Sequence, residues 1–258
     1  MHHAYLDRFA ARDSLVHRRD PRAKTLAFLG LLVASILVPA GIWWPFGALL
    51  AVLGVLWAAS GVPVWYLVRR VIILSPFVLF SLGLLPFLYA GDALWTLPVG
   101  PWGLVVTRQG LELAGNVAAK FSLSVLTLGV FFGVTRFDCF LAALRWLRAP
   151  RLLVMQLGFL YRYLYVVVDE AQRMMRARDA RSGGRTGLRV WRATVGALGV
   201  LLLRSLERSE RVYRAMLARG FSGEAVMLTR PSMAAPDVLF LAAVLAAAAA
   251  ITAAWAAR

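Results

Sequence analysis

Two short stretches hold the side chains best placed to do chemistry, "RARDARSGG" and "RAMLARGFSGE". Each sets an arginine between small residues near the end of a long helical pattern: Ala180-Arg181-Ser182 and Ala218-Arg219-Gly220. A guanidinium is always charged, and its planar fork matches a carboxylate in two parallel hydrogen bonds. Small neighbours let such a fork enter a partner's groove. The plain alternative is capping, because a cation at a helix C-terminus is favoured by the helix dipole. In the first stretch Ala177-Arg178-Asp179 fits the same small-Arg-small form. Arg181 is preferred, since Ser182-Gly183-Gly184 supplies the helix stop.

Other reactive residue types offer less. Asp169-Glu170 is the one adjacent acid pair, and acid–base work would need such a pair at a membrane face. Arg173 stands at helical spacing from it, so the pair reads as structural. His2 and His3 are adjacent at the very start of the chain, and His17 is too far along to be assumed as a third ligand. A single Cys139 excludes an internal disulfide and a cysteine metal cluster. The sequence has no G-x-x-x-x-G-K-[ST] phosphate loop and no Asp/Glu-rich metal motif. The expectation is therefore no catalytic residue, no metal ligand and no cofactor bound by this chain.

The elements that must position the two arginines are long helices. "RFDCFLAALRWLR" reads as a short amphipathic helix before Pro150. A second pattern begins at Pro150 and stops at Gly183-Gly184. A third runs from about Gly187 to Arg219, with Gly220 as a left-handed cap. On it Leu202, Leu206, Ser209, Tyr213, Met216 and Gly220 follow steps of four and three, one helix face expected to pack against protein. Glu207–Arg211 and Glu210–Arg214 are acid-first pairs four apart on the solvated side, worth a few tenths of a kcal/mol each.

The surroundings of those helices are membrane. With 60% hydrophobic residues and a mean hydropathy of +0.70, the chain is too apolar for an ordinary soluble domain, yet its formal net charge is +16. A polytopic membrane protein with its charges gathered in loops satisfies both. Five runs approach the roughly 20 apolar residues a crossing needs: about 24–40, 42–60, 71–90, 111–135 and 237–257. Pro39 and Gly41 break the first pair into a hairpin, and Pro76 and Pro86 are expected to kink the third. Gly129 and Gly133 form a small-xxx-small face. Lys120, inside the fourth run, is expected to pair with Glu112 or to snorkel. The polar first 24 residues, with no A-x-A-like site after a short apolar core, argue against a signal peptide.

Arginine and lysine counts orient the array. The N-terminal arm holds Arg8, Arg12, Arg18, Arg19, Arg22 and Lys24, the 61–70 loop Arg69 and Arg70, and the 91–110 loop Arg108 alone. Residues 136–236 carry 18 arginines against seven acids. Positive-inside bias puts the arm, the 61–70 loop and this block in the cytoplasm. The expected fold class is an all-α integral membrane protein with about five transmembrane helices and a cytoplasmic coupling domain of long amphipathic helices. Its parts are a cytoplasmic arm (1–23), transmembrane helices 1–4 (24–135), coupling helices (136–236) and a C-terminal transmembrane helix (237–258).

These residues resemble a known family, the transmembrane T component of energy-coupling factor (ECF) transporters in its cobalt-type CbiQ branch. "DRFAARDSLVHRRDPRAK" is similar to the branch's N-terminal segment, with Asp7, Ser14, His17, Asp20, Pro21, Arg22 and Lys24 in place. "EAQRMMRARDARSGG" and "SLERSERVYRAMLARGFSG" are similar to the family's two Ala-Arg-Gly regions, although neither candidate in the first ends in glycine. The resemblance implies a non-catalytic subunit of a metal importer, cobalt or nickel, in the bacterial inner membrane. Two ABC ATPase subunits would bind ATP and Mg and receive the two arginine motifs. A membrane S component would bind the substrate, joined by a small accessory membrane subunit. The competing classes are an integral-membrane lipid-modifying enzyme, a T component serving nickel or a vitamin, and a basic module for nucleic acid or anionic lipid. Polyanion binding by the basic block would be weak whatever its function, and the periodic apolar face favours a protein partner over nucleic acid.

Overall fold

A computed structural model describes residues 14–89, 91–99, 102–183, 187–223 and 233–257. Eight helices and one hairpin lie among them. They are α1 (Pro21–Leu37), α2 (Trp44–Ser60), α3 (Val64–Leu88), β1 (Ala93–Val99), β2 (Trp102–Thr107), α4 (Arg108–Val134), α5 (Phe137–Trp146), α6 (Arg151–Ser182), α7 (Leu188–Ala218) and α8 (Ala235–Ala256). The protein is all-α apart from the antiparallel β1–β2 hairpin, which fills what reads in the sequence as the 91–110 loop. The chain divides into two compact units, one running to Ala143 and resuming with α8, the other beginning at Leu144 and holding α6 and α7.

In the first unit the helix ends alternate. α1 and α8 begin, and α4 finishes, at one end: Lys24 donates to the Val134 carbonyl at 3.0 Å, and the Asp20 N–H donates to Asp237 Oδ1 at 3.1 Å. α2 finishes and α3 begins at that same end, where a Cβ on Gly133 would lie 3.0 Å from Val62 Cγ2. At the other end Asn116 Nδ2 donates to the Pro39 carbonyl at 3.1 Å, and Thr107 Oγ1 donates to that of Tyr89 at 2.8 Å. Arg18, Arg19, Arg22, Lys24, Arg69, Arg70 and Arg136 therefore gather at one end, while Arg108 stands at the opposite one.

Helical spacing explains the core. Phe28, Leu31, Ala34 and Val38 of the first helix and its cap meet Leu49, Leu53 and Leu56 of α2, Leu123, Val130 and Val134 of α4, and Val244 and Ala248 of α8. Phe131 meets Phe28 at a tilt and Phe140 edge to face, at centroid distances of 5.6 and 5.7 Å. Glycines allow the closest approaches. A Cβ on Gly129 would stand 2.7 Å from Leu67 Cδ2, and one on Gly30 would run into Leu245. The Gly129/Gly133 face thus receives the start of α3. Outside this core Ile36, Val55, Ile73, Leu79 and Leu239 are each more than 60% exposed. Such a surface is stable in lipid rather than in water.

Three expectations change. α3 begins at Val64, so Arg69 and Arg70 lie on a helix and not in a 61–70 loop; Gly61 in the left-handed region and Pro63 at the cap start it early. α1 begins at Pro21 with Asp20 as cap, so Lys24 sits inside the helix. Glu112 bonds Arg108 at 3.2 Å and is not Lys120's partner. α4, α6 and α8 are each long and apolar enough to cross a membrane, and α2 is a shorter apolar helix. α6 qualifies through its first half, the "LLVMQLGFLYRYLYVVV" run.

Candidate functional site

The two motif arginines lie in the second unit, each at the C-terminal end of a helix of more than 30 residues. The end of α7 is fully determined by its backbone. Gly220 has φ +80°, its N–H donates to the Leu217 carbonyl at 3.0 Å, and the Phe221 N–H donates to Met216 O at 3.0 Å. That pair of bonds is the Schellman stop, and it requires a residue that tolerates left-handed φ. Arg219 is thereby held one residue short of the turn, exposed between Ala218 and Gly220. α6 also ends on a left-handed glycine, Gly183 with φ +58°, and Ser182 Oγ donates back to the Asp179 carbonyl at 3.0 Å. Arg181 and Ala180 are exposed there.

The two candidates for the first motif differ in what they touch. Arg178 is committed: its guanidinium donates to Asp179 Oδ1 at 2.6 and 3.0 Å and to Thr194 Oγ1 of α7 at 2.6 Å. The side chains of Arg181 and Arg219 make no hydrogen bond or ion pair among the described residues. Arg178 therefore ties α6 to α7, while Arg181 and Arg219, with five donors each at the helix ends, spend none of them on the described residues.

A second tie lies further up the pair. Glu170 accepts from Arg173 at 2.9 Å and from Arg204 of α7 at 2.5 Å. The hydrogen bond from Arg204, with help from Arg173, holds its carboxyl below the ordinary range. A lowered carboxyl stabilises above its ordinary pKa, and that contribution is lost as pH falls through the lowered value. The acid pair singled out in the sequence is thus half interhelical clasp. Between the clasps α6 and α7 enclose a cleft of about 1000 Å³ lined by Met174, Ala177, Ala193, Ala197 and Val200.

The face of α7 turned to α6 is Val190, Ala193, Ala197, Val200 and Arg204, in steps of three and four. The stripe that drew notice in the sequence points elsewhere: Leu202, Leu206 and Tyr213 are 64%, 55% and 54% exposed. Trp191, Val195 and Leu198 extend it and are also more than half exposed. α7 is apolar on two sides: one borders the cleft with α6, and the other meets no partner among the described residues. Ala193 and Ala197, the small residues that line the cleft on the α7 side, did not stand out in the sequence.

His2 and His3 lie outside the described residues, and so does Asp7. Among the described residues no three of His, Cys, Asp and Glu come together in a cation cage.

Comparison with known proteins settles the lineage. The cobalt transport protein family CbiQ matches residues 12–229, most of the chain and both motif regions. The chain belongs to the CbiQ family. Similar relatives include the cobalt transport protein CbiQ of Rhodobacter capsulatus, 32% identical over 92% of this chain and 93% of the relative. CbiQ of Salmonella typhimurium is 24% identical over 85% and 97% of the two chains. The energy-coupling factor transporter transmembrane protein EcfT of Ruminiclostridium cellulolyticum is 21% identical over 84% of each. With its apolar helices, this CbiQ-family chain is an integral membrane protein.

Proposed function

We propose that this chain is the transmembrane T component of an ECF-type importer for a transition-metal ion, cobalt first. In this role Arg181 and Arg219 are the points at which two partner ATPase subunits grip it. The observation that carries the reading is the pair of guanidiniums without a partner among the described residues, each presented by a left-handed glycine stop at the end of a long helix and flanked by small residues. Family membership supplies the context. Arg178, spent on Asp179 and Thr194, is the weaker candidate for the first grip.

In this mechanism closure of the ATPase pair on ATP moves the ends of α6 and α7, and the clasps at Glu170 and Arg178 carry that motion along both helices. The uncovered stripe of α7 and the apolar first half of α6 take partner protein, the latter at the level of a membrane-embedded S component. ATP and Mg belong to the ATPase subunits, substrate metal to the S component and its small accessory subunit. The chain contributes no catalytic group. The arginine-rich end of the membrane unit faces the cytoplasm of a bacterial inner membrane, as positive-inside bias requires.

The test is purification of the tagged chain from native membranes. It is expected to bring two ATPase subunits and a membrane substrate-binding subunit with it. The isolated chain is expected neither to hydrolyse ATP nor to bind Co²⁺ or Ni²⁺ tightly. Recovery of the chain alone, or ATP hydrolysis by it, would overturn the proposal.

A further inference from the structure

The stretch "RWLRAPRLL" joins α5 to α6, and it does not use glycine where glycine would be expected. The Arg148 N–H donates to the Arg145 carbonyl at 3.2 Å and the Ala149 N–H to that of Leu144 at 3.1 Å, a Schellman stop that sets Arg148 at φ +63°. Arg148 is the one non-glycine with positive φ among the described residues. Glycine fills such a position without strain, so an arginine there points to a use for its side chain. Around it the surface alternates. Arg145, Arg148 and Arg151 are exposed. Between and beside them Trp146, Leu147, Leu152 and Leu153 are 44%, 43%, 61% and 54% exposed. No acid occurs from Cys139 to Val168.

Large apolar side chains that stay exposed side by side mark a contact surface. Here the interleaved arginines say what kind. Trp and Leu settle at the boundary of headgroups and acyl chains, while guanidinium forks match phosphate oxygens. Connectivity sets the level. Phe140 of α5 packs edge to face on Phe131 near the end of α4, and Leu141, Ala142 and Ala143 are buried in the membrane unit. The chain thus enters the elbow directly from the arginine-rich end of that unit. We infer that the 145–153 elbow is a lipid seat: Trp146, Leu147, Leu152 and Leu153 enter the bilayer interface, and Arg145, Arg148 and Arg151 hold the phosphates of anionic phospholipids. Charge complementarity favours this occupant, because the cytoplasmic leaflet is the anionic one and this segment is basic without an acid to offset it.

The experiment places a photo-cross-linking residue at Leu147 in the whole purified complex, reconstituted in vesicles of phosphatidylcholine and phosphatidylglycerol, and identifies the adducts by mass. Lipid is expected to be the main product. Its phosphatidylglycerol-to-phosphatidylcholine ratio should exceed that of the vesicle by about fivefold or more, roughly the preference one arginine confers near a charged surface. The same residue at Leu79, 62% exposed midway along α3, is expected to report the vesicle's own ratio. Arg148→Gly suits the left-handed turn and removes only the guanidinium, so it should fold and lower the enrichment. Replacing Arg145, Arg148 and Arg151 together by Gln should abolish it; if that variant fails to insert, Arg148→Gly decides. Adducts at Leu147 with a protein subunit in place of lipid, lipid adducts at the vesicle's ratio, or no lipid adduct at all would overturn the inference. It needs only the chain's membrane character, so a complex that lacks ATPase subunits would count against the T-component reading and not against the lipid seat.

Discussion

Arg219→Ala is expected to uncouple the complex: ATPase subunits are lost from the tagged chain, or hydrolyse ATP without metal uptake. The arginine brings five donors to an exposed helix end and spends none of them within the described chain. If they are spent on a partner carboxylate, truncation leaves that carboxylate buried and unpaired. Losses of this kind cost about 3–5 kcal/mol, more than about 100-fold in the complex. The chain itself should insert and fold normally, because Gly220 and the Schellman bonds remain. Arg181→Ala should act alike, and the double substitution should be worse than either. Arg211→Ala is the control. Its ion pair with Glu207 spans 3.9 Å with both side chains 68% exposed, worth at most about 1 kcal/mol. Wild-type uptake and ATPase retention in Arg219→Ala would reduce the arginine to a helix cap.

Lys24→Met should damage the membrane unit itself. Lys24 is 3% exposed and donates to the Val134 carbonyl, one of the orphan acceptors at the end of α4, and to that of His17 at 3.2 Å. The Asp20 and Asp237 carboxylates, each 6% exposed, lie close enough to act on its charge. Asp237 in turn accepts from the Ala234 N–H at 3.0 Å and from that of Asp20, so one cluster pins the N-terminal turn, α4 and α8 together. Removing the ammonium leaves two buried carboxylates with less counter-charge and two carbonyls short of a donor. The expected loss is about 3–5 kcal/mol. It would be read as a lower unfolding temperature in detergent and reduced yield in membranes, with Asp20→Asn recovering part of it. An unchanged unfolding temperature would mean that the cluster contributes little.

Most of the helices were legible in the sequence because apolar runs and proline or glycine stops mark them directly. Gly220 and Gly183 were readable as left-handed stops for the same reason: few other residues tolerate that φ. Other features depended on contacts that no period reveals. The Arg69-Arg70 pair interrupts hydropathy, so α3 looked to begin seven residues later than it does. Lys24 looked like one more charge of a loose arm, since nothing local announces that Val134, 110 residues away, needs a donor. The preference for Arg181 came from the Ser182-Gly183-Gly184 stop; that Arg178 is bonded to Thr194 of α7 is a tertiary fact no local pattern announces. Likewise α7 shows two apolar sides, and only the tertiary structure tells which one borders α6.

The most direct test of the central claim is disulfide cross-linking in the assembled complex. Cys139 is the one cysteine, so a Cys139→Ser background leaves the chain free for single cysteines at 181 and 219. Each is predicted to cross-link to an ATPase subunit bearing a cysteine in its docking groove, with a yield that changes on ATP binding, while a cysteine at 211 does not. Equal or greater cross-linking from 211, with none from 181 and 219, would contradict the account.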